Sequence, residues 1–370
     1  MALPLFIGLM SGTSTDGVDG VLADFSQAAR PRVLATVSLP MPAKLREEFL
    51  ALNLAGQNEL ARAALAGNAL ARLYAQAVHA LLRQAKVQAR QVCAIGAHGQ
   101  TVRHDPAAGY TIQINAPAVL AELSEIAVIA DFRSRDIAAG GQGAPLVPAF
   151  HHALFAGSAP RAILNLGGIA NVTLLDAAGG IRGFDTGPAN VLLDLWVHEK
   201  TGQAYDANGA WADSGRPSAA LLDFLIGSEP WLALPPPKST GRDLFNWSWL
   251  SQRLNDFHAD ATTLADNDVQ ATLQRLSAIT VGQAIARHAP DTTDVLVCGG
   301  GALNGGLMRE LQAALPCPVR PTSDVGVPVQ IVEALAFAWL AWAHERGLPA
   351  GLPSVTGAHS ARVLGCKYPA

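Results

Sequence analysis

One pattern is written twice in this chain and limits the folds open to it. Phe6–Met10 and Val18–Asp24 are short apolar runs on either side of a turn made of Ser11, Gly12, Thr13, Ser14, Thr15, Asp16 and Gly17. Ala162–Leu166 and Ile169–Asp176 flank a second turn, Gly167-Gly168. A third apolar run follows each pair, Arg32–Leu39 in the first half and Ile181–Phe184 in the second. Short apolar runs bounded by glycine turns read as hairpins that continue into a sheet. Helical sequence then fills each half, from Pro42 to Ala85 with Asn58 as N-cap of the longer helix, and as amphipathic segments from Ala189 to Arg287. Further strands are expected at Val92–Ala97, Tyr110–Ile114, Ala127–Asp131 and Asp294–Cys298, and a last helix over Gln330–Glu345. Pro145–Ala156 reads as a linker and short helix. Repetition at this distance implies internal duplication, not a solenoid. The expectation is an α/β protein of two domains, 1–145 completed by 335–370 and 146–334, with a cleft between the copies.

Length agrees, because 370 residues exceed one ordinary core. With 50% hydrophobic and 15% charged residues there is ample material for buried sheets. A net charge of −4 with mixed signs lacks the basic stripe that nucleic acid requires. No apolar run reaches membrane-spanning length. Leu3–Met10 is too short for a secretion signal and leads straight into the glycine turn, so it reads as a strand. Cys93, Cys298, Cys317 and Cys366 are scattered without a CxxC pair. That argues against disulfides or zinc and for a reducing cytoplasm, with Cys93 and Cys298 packed as small hydrophobes inside strands. Trp247, Trp249, Trp339 and Trp342 read as core rather than as a sugar platform.

Three glycine-rich loops, 11–17, 165–171 and 299–306, each follow an apolar strand. Glycine admits positive φ and close backbone approach, and successive N–H groups in such turns form anion-binding concavities. Any one of them alone reads as an ordinary glycine turn. Together they point to a nucleotide, the first two loops closing on phosphates and the third holding the nucleoside. Asp16 and Asp19 are placed to hold a magnesium ion through water. The third loop also resembles a dinucleotide fingerprint at Gly299-x-Gly301, but Asn304 stands where the last glycine belongs. No GxxxxGK[ST] occurs, which excludes a P-loop.

Other polar clusters sit at strand ends. Asp185, in GFDTGPAN, is placed as a general base, with an Asx-turn capping the next helix as the competing reading. His98-Gly99-Gln100-Thr101, with Arg103 and His104, reads as a polar loop lining a pocket. Arg133 and Arg135, in FRSRD, suit bidentate recognition of a carboxylate or form a surface salt-bridge cluster. Glu333 is the lone charge in an apolar helical stretch. It faces a polar cleft, since unpaired burial is costly, or serves the helix N-terminus. Lys238 and Arg242, in PKSTGRD, approach a phosphate or are solvated loop charges.

With these strings assembled (GLMSGTSTDGVDG, IGAHGQTVRH, ADFRSRDIAAGGQGAPLVPAFH, NLGGIANVTLLD, GFDTGPANVLLD, PKSTGRDLFN and VCGGGALN), the chain closely resembles the anhydro-N-acetylmuramic acid kinase family over nearly its whole length. The resemblance implies two duplicated ribonuclease-H-like domains of the actin, sugar-kinase and heat-shock-chaperone ATPase superfamily, with a central nucleotide and sugar cleft. It implies an enzyme that uses ATP, Mg2+ and water on 1,6-anhydro-N-acetylmuramic acid, giving N-acetylmuramic acid 6-phosphate and ADP in cytoplasmic peptidoglycan recycling. It matches the span Gly12, Thr13, Ser14, Thr15, Asp16, Gly17, Val18 and Asp19 to the ATP-phosphate loop and Asp185 to the general base. It matches Thr101, Arg135 and Glu333 to positions around the sugar. Gly167, Gly168, Gly299, Gly300, Gly301 and Asn304 are the further ATP-binding candidates, and a homodimer is compatible with the resemblance. Thr15 departs from the family's usual Met or Leu. Rival readings are a sugar kinase acting on an ordinary hydroxyl, a chaperone-like ATPase and, from the last glycine loop alone, a nicotinamide oxidoreductase.

Overall fold

The computed structural model describes residues 4–12, 15–27, 29–258 and 264–370, without the side chain of His258. It consists of two compact units, Met1–Phe155 with Ile331–Ala370, and Ala156–Gln330.

In the first unit β1 (Leu5–Met10) and β2 (Gly17–Asp24) form the expected hairpin, and β3 (Arg32–Pro40) adds antiparallel to β2. β4 (Val92–Ala97) lies parallel to β1 on its other side. A separate two-stranded hairpin, β5 (Gln100–Asp105) and β6 (Tyr110–Ile114), precedes β7 (Val128–Ala130), which pairs parallel to β4. Cys366–Tyr368 closes the edge antiparallel to β7. The second unit repeats the plan. β8 (Arg161–Leu166), β9 (Ile169–Leu175) and β10 (Ile181–Pro188) form an antiparallel meander, while β11 (Asp294–Cys298) and β12 (Val319–Pro321) extend parallel from β8. Each main sheet therefore runs third-second-first-fourth-fifth with only the second of these five reversed, and the first unit adds the antiparallel edge strand Cys366–Tyr368. The duplication expected from the two glycine hairpins is present in the topology.

Packing explains why the helices differ in pattern. The helix Val332–Glu345 is buried on nearly every face, because it lies directly on β1 and β4. Gly8 and Gly96 are register partners on those strands. A Cβ on Gly8 would stand 1.8 Å from the Ala334 carbonyl oxygen, and one on Gly96 2.0 Å from that of Phe337. Only two bare backbones let the helix approach this closely. On the opposite side the helix Glu59–Ala85 presents Leu70, Tyr74, Val78 and Leu81 to the core, the spacing of an amphipathic stripe. In the second unit Ala278, Val281 and Ile285 of the helix Asp266–His288 pack with Leu164, Val172, Phe184 and Val297.

Asn58 is the N-cap of the helix Glu59–Ala85 as expected, at φ 54° and without a capping side-chain bond; Glu59 accepts from the Gly56 N–H. Two sequence expectations need correction. Cys298 is buried, but Cys93 is exposed. The β1–β4 register passes from Leu5↔Val92 to Phe6↔Ala94, so Cys93 is the extra residue of a bulge and points away from the core. Asp185 is not at a strand end, because β10 runs on past it to Pro188. Trp249, Trp339 and Trp342 are buried, and Trp247 stacks on Trp196 at 6.3 Å. None of the cysteines forms a disulfide. Among the described residues no helix is long and apolar enough to cross a membrane.

Candidate active site

In the second unit the carboxylate of Asp185 is held from one side. β10 continues past it to Pro188, and pairing skips from Asp185↔Asn171 to Gly187↔Ala170. Such a bulge re-aims a side chain out of the pleat. The Asp185 N–H donates to the Lys238 carbonyl at 3.1 Å. Its Oδ2 accepts from the Thr240 N–H at 2.8 Å and the Ser239 hydroxyl at 3.0 Å. Oδ1 accepts no hydrogen bond from any described residue. Burial pushes the Asp185 carboxyl up to about 6, against the two hydrogen bonds and the positive charge of Lys238. The Asx-turn reading therefore does not hold. The following helix, Asn190–Thr201, is tied instead to glycine carbonyls, with Ala189 N–H to Gly168 at 2.9 Å and Asn190 Nδ2 to Gly167 at 2.9 Å.

The PKSTGRD segment is thus the clamp on Asp185, a role the sequence reading missed; its Ser-Thr pair before glycine was the available signal. Lys238 donates to the Leu232 carbonyl at 2.9 Å and lies 4.3 Å from the Trp231 ring centroid. Arg242 is exposed.

Two of the glycine loops meet within this unit, because β8 and β11 are parallel neighbours. Gly299 has φ +83°, and a Cβ there would stand 2.5 Å from Asn165 Oδ1. One on Gly301 would stand 2.6 Å from the Leu166 Cβ. These two glycines let one loop lie on the other. Gly300 meets nothing within 4 Å, and Gly167 and Gly168 make only ordinary contacts at 3.7 and 3.8 Å. Their backbone stays approachable. Asn304 is a helix cap, its Oδ1 accepting from the Leu307 N–H at 3.1 Å.

In the first unit Thr13 and Ser14 lie outside the described residues. Around them the loop is braced from below. The Ser11 hydroxyl donates to Gln100 Oε1 at 2.5 Å, and Gln100 Nε2 donates to the Gly12 carbonyl at 3.1 Å. Thr15 is buried at φ 55°, and its N–H donates to the Gly12 carbonyl at 3.1 Å. Gly17 packs on β3, where a Cβ would stand 2.4 Å from the Leu39 carbonyl oxygen, and Val18 is core. Asp16 is exposed. Asp19 accepts from the Ser38 hydroxyl at 2.6 Å; burial raises its carboxyl, Ser38 lowers it, and nearby Asp16 raises it again.

His98 and Arg133 form the brace behind this loop. The His98 Nδ1 lies 3.2 Å from the Ser11 carbonyl, and Arg133 approaches Nε2 at 3.0 and 3.3 Å. Burial drives His98 down to about 3, so the ring is neutral. With Nε2 accepting from Arg133, the proton is assigned to Nδ1. Arg133 also donates to the Gly143 carbonyl at 2.8 Å. Burial lowers its guanidinium to about 10, with Glu333 and Asp136 opposing. Glu333 is raised by burial, and Arg133 counters that shift. Asp136 is buried, accepting from the Gly143 N–H and the Thr356 hydroxyl, both at 2.8 Å. His98 and Gln100 are therefore supports beneath the loop, not an open pocket lining. Arg135 is exposed and makes no ion pair among the described residues. Thr101 accepts from Gln113 Nε2 at 3.2 Å. Arg103 is committed to Glu59 at 3.1 Å.

Two sheets of this order, each with a glycine turn between its first two strands, define a duplicated ribonuclease-H-like α/β fold. The sequence profile of the family described as anhydro-N-acetylmuramic acid kinase matches residues 4–370. A protein of that name from Bordetella pertussis is 67% identical over 366 residues, covering 99% of this chain and 96% of that one. Another from Ralstonia nicotianae is 55% identical over 376 residues, covering 99% and 97%. Among solved structures, component A of the Acidaminococcus fermentans (R)-2-hydroxyglutaryl-CoA dehydratase aligns at 12% identity and a TM-score of 0.48, covering 91% of this chain and 96% of that one. The chain belongs to the anhydro-N-acetylmuramic acid kinase family, and it is a kinase that acts on a sugar with ATP.

Proposed function

We propose that this kinase opens the anhydro bridge of 1,6-anhydro-N-acetylmuramic acid with water and phosphorylates the oxygen released, with Asp185 as the base. The observation that carries this reading is the grip on Asp185: Oδ2 is taken by Ser239 and Thr240, while Oδ1 has no hydrogen-bond donor among the described residues. The substrate's 6-oxygen is tied to its anomeric carbon, so no hydroxyl is there to attack ATP. Asp185 takes a proton from water, and the hydroxide oxygen bonds to the anomeric carbon. The bond from that carbon to the 6-oxygen breaks, and the 6-oxygen bonds to the γ-phosphorus as ADP leaves. Glycoside cleavage ordinarily needs an acid on the leaving oxygen; here the phosphoryl group takes that place. Attack from the face opposite the bridge inverts the anomeric carbon. A carboxyl held near 6 is ionised at neutral pH and still basic enough for the task.

Gly167, Gly168 and Gly300 are assigned to phosphate and nucleotide approach on the openness of their backbone, with Gly299 and Gly301 shaping that surface, and Gly12 is assigned to the phosphates on its place in the braced first loop. Among the described residues no group of three His, Cys, Asp or Glu could hold a metal. One or two carboxylates plus water and substrate phosphate is the donor set magnesium prefers, and exposed Asp16 beside Asp19 fits it. Bound there, Mg2+ supplies charge neutralisation to the phosphates. Arg135, exposed and without an ion pair among the described residues, is assigned to the lactyl carboxylate, and Thr101 and Glu333 to the sugar. Peptidoglycan recycling in the cytoplasm is the setting this chemistry serves.

The test is turnover of the anhydro-sugar with MgATP in 18O-labelled water. One labelled oxygen at the anomeric carbon and none in the phosphoryl group is expected. Unlabelled phosphorylated sugar would assign the chain to kinases acting on a free hydroxyl, and the mechanism would fall.

A further inference from the structure

On the other side of β10 from the Asp185 carboxylate, the second unit holds a cavity of about 150 Å³. Phe184 and Thr186, the neighbours of Asp185, line it together with Thr280, Lys238, Arg287 and His288. No acidic side chain does. Arg287 makes no ion pair or hydrogen bond to any described residue. Lys238 spends two of its N–H donors on the Trp231 and Leu232 carbonyls, and the third has no partner there. The His288 ring packs edge-on against Phe184 at 5.1 Å, which fixes its plane beside the two cations. Like charges gathered around a cavity repel one another until an anion enters.

We propose that this cavity is a binding site for a phosphate group, held by Arg287, Lys238 and His288. Its volume suits a small tetrahedral oxyanion. Pockets for larger ligands begin at roughly 300 Å³, so any sugar attached to the phosphate projects outside. Arg287 supplies the planar fork that phosphate favours, and Lys238 a point charge. The protonation of His288 reports on occupancy. Burial lowers it first, then the charges of Arg182, Arg287 and Lys238, and Asp185 acts in the opposite direction on Lys238. A bound anion favours the imidazolium and raises it.

The experiment is histidine NMR titration of the full chain without nucleotide or sugar, so its failure is separable from that of the proposed reaction. His288→Gln assigns the resonance. Inorganic phosphate, against chloride at equal ionic strength, should raise the His288 pKa by roughly one unit. Arg287→Gln, an exposed helix position that should fold normally, should weaken phosphate binding by about tenfold. N-acetylglucosamine 6-phosphate forms the second arm. Binding of inorganic phosphate alone supports a free-phosphate site, and binding of both supports one that takes the phosphate of a sugar ester. Equal His288 titration in phosphate and chloride, or unchanged phosphate affinity in Arg287→Gln, would overturn the proposal.

Discussion

Ser239→Ala tests the base through its support rather than by removing it. In the native protein the Asp185 carboxyl lies near 6, raised by burial and held back by bonds from Thr240 and Ser239. The Ser239 hydroxyl bond is 3.0 Å long and exposed, so about 1 kcal/mol, below the usual range for charged acceptors, is the fitting estimate. Losing it favours the protonated acid, and at about 1.4 kcal/mol per unit the pKa should rise by about 0.7. At about pH 5.5 the ionised fraction then falls from about 0.24 to about 0.06, while at about pH 8 it stays above about 0.9. The profile of kcat/KM, which reports the free enzyme, should therefore lose about fourfold on the acid side and almost nothing on the alkaline side. Thr240 donates through its backbone and keeps the carboxylate in place in the variant. A uniform loss across pH would mean that Ser239 contacts substrate or shapes the loop. An unshifted acid limb would mean that Asp185 is not the group being titrated.

Four further outcomes are expected. Asp185→Asn keeps a carbonyl to accept from Ser239 and Thr240, so turnover should drop by at least about a hundredfold with ATP binding retained. The same variant should melt no lower than wild type. A carboxyl raised in the fold costs stability above about pH 6 and loses that cost as pH falls towards its unfolded value. Any gain in Asp185→Asn should thus be present at about pH 8 and gone near pH 4, as thermal melts across pH would register. Gly8→Ala and Gly96→Ala drive a methyl into the backbone of Val332–Glu345 and should each cost about 3 kcal/mol or fail to fold, measured by urea unfolding. Gly300→Ala meets open space and should unfold like wild type while raising the ATP KM; Gly299→Ala, at φ +83°, should lose stability as well. Equal ATP kinetics in Gly300→Ala and wild type would remove that loop from the nucleotide.

What the sequence alone determines is local. Hairpins around Gly12–Gly17 and Gly167-Gly168, and the repetition between halves, follow from apolar runs of strand length and from turns that tolerate glycine backbone. The resemblance then carries the family. Contacts between distant segments are decided only by the fold. Asp185 meets Ser239 and Thr240 across 54 and 55 residues, and that meeting, with burial, sets its charge state. Gly8 and Gly96 read as ordinary strand residues until the register pairs them under one helix. Cys93 reads as core until a bulge turns it outward. His98 and Gln100 read as pocket lining until they are found bracing the loop at Ser11 and Gly12. Backbone preference and hydrophobic period act over a few neighbouring residues, so they are legible in order along the chain. Desolvation, register and hydrogen-bond partnership act through space, and only tertiary structure sets those distances.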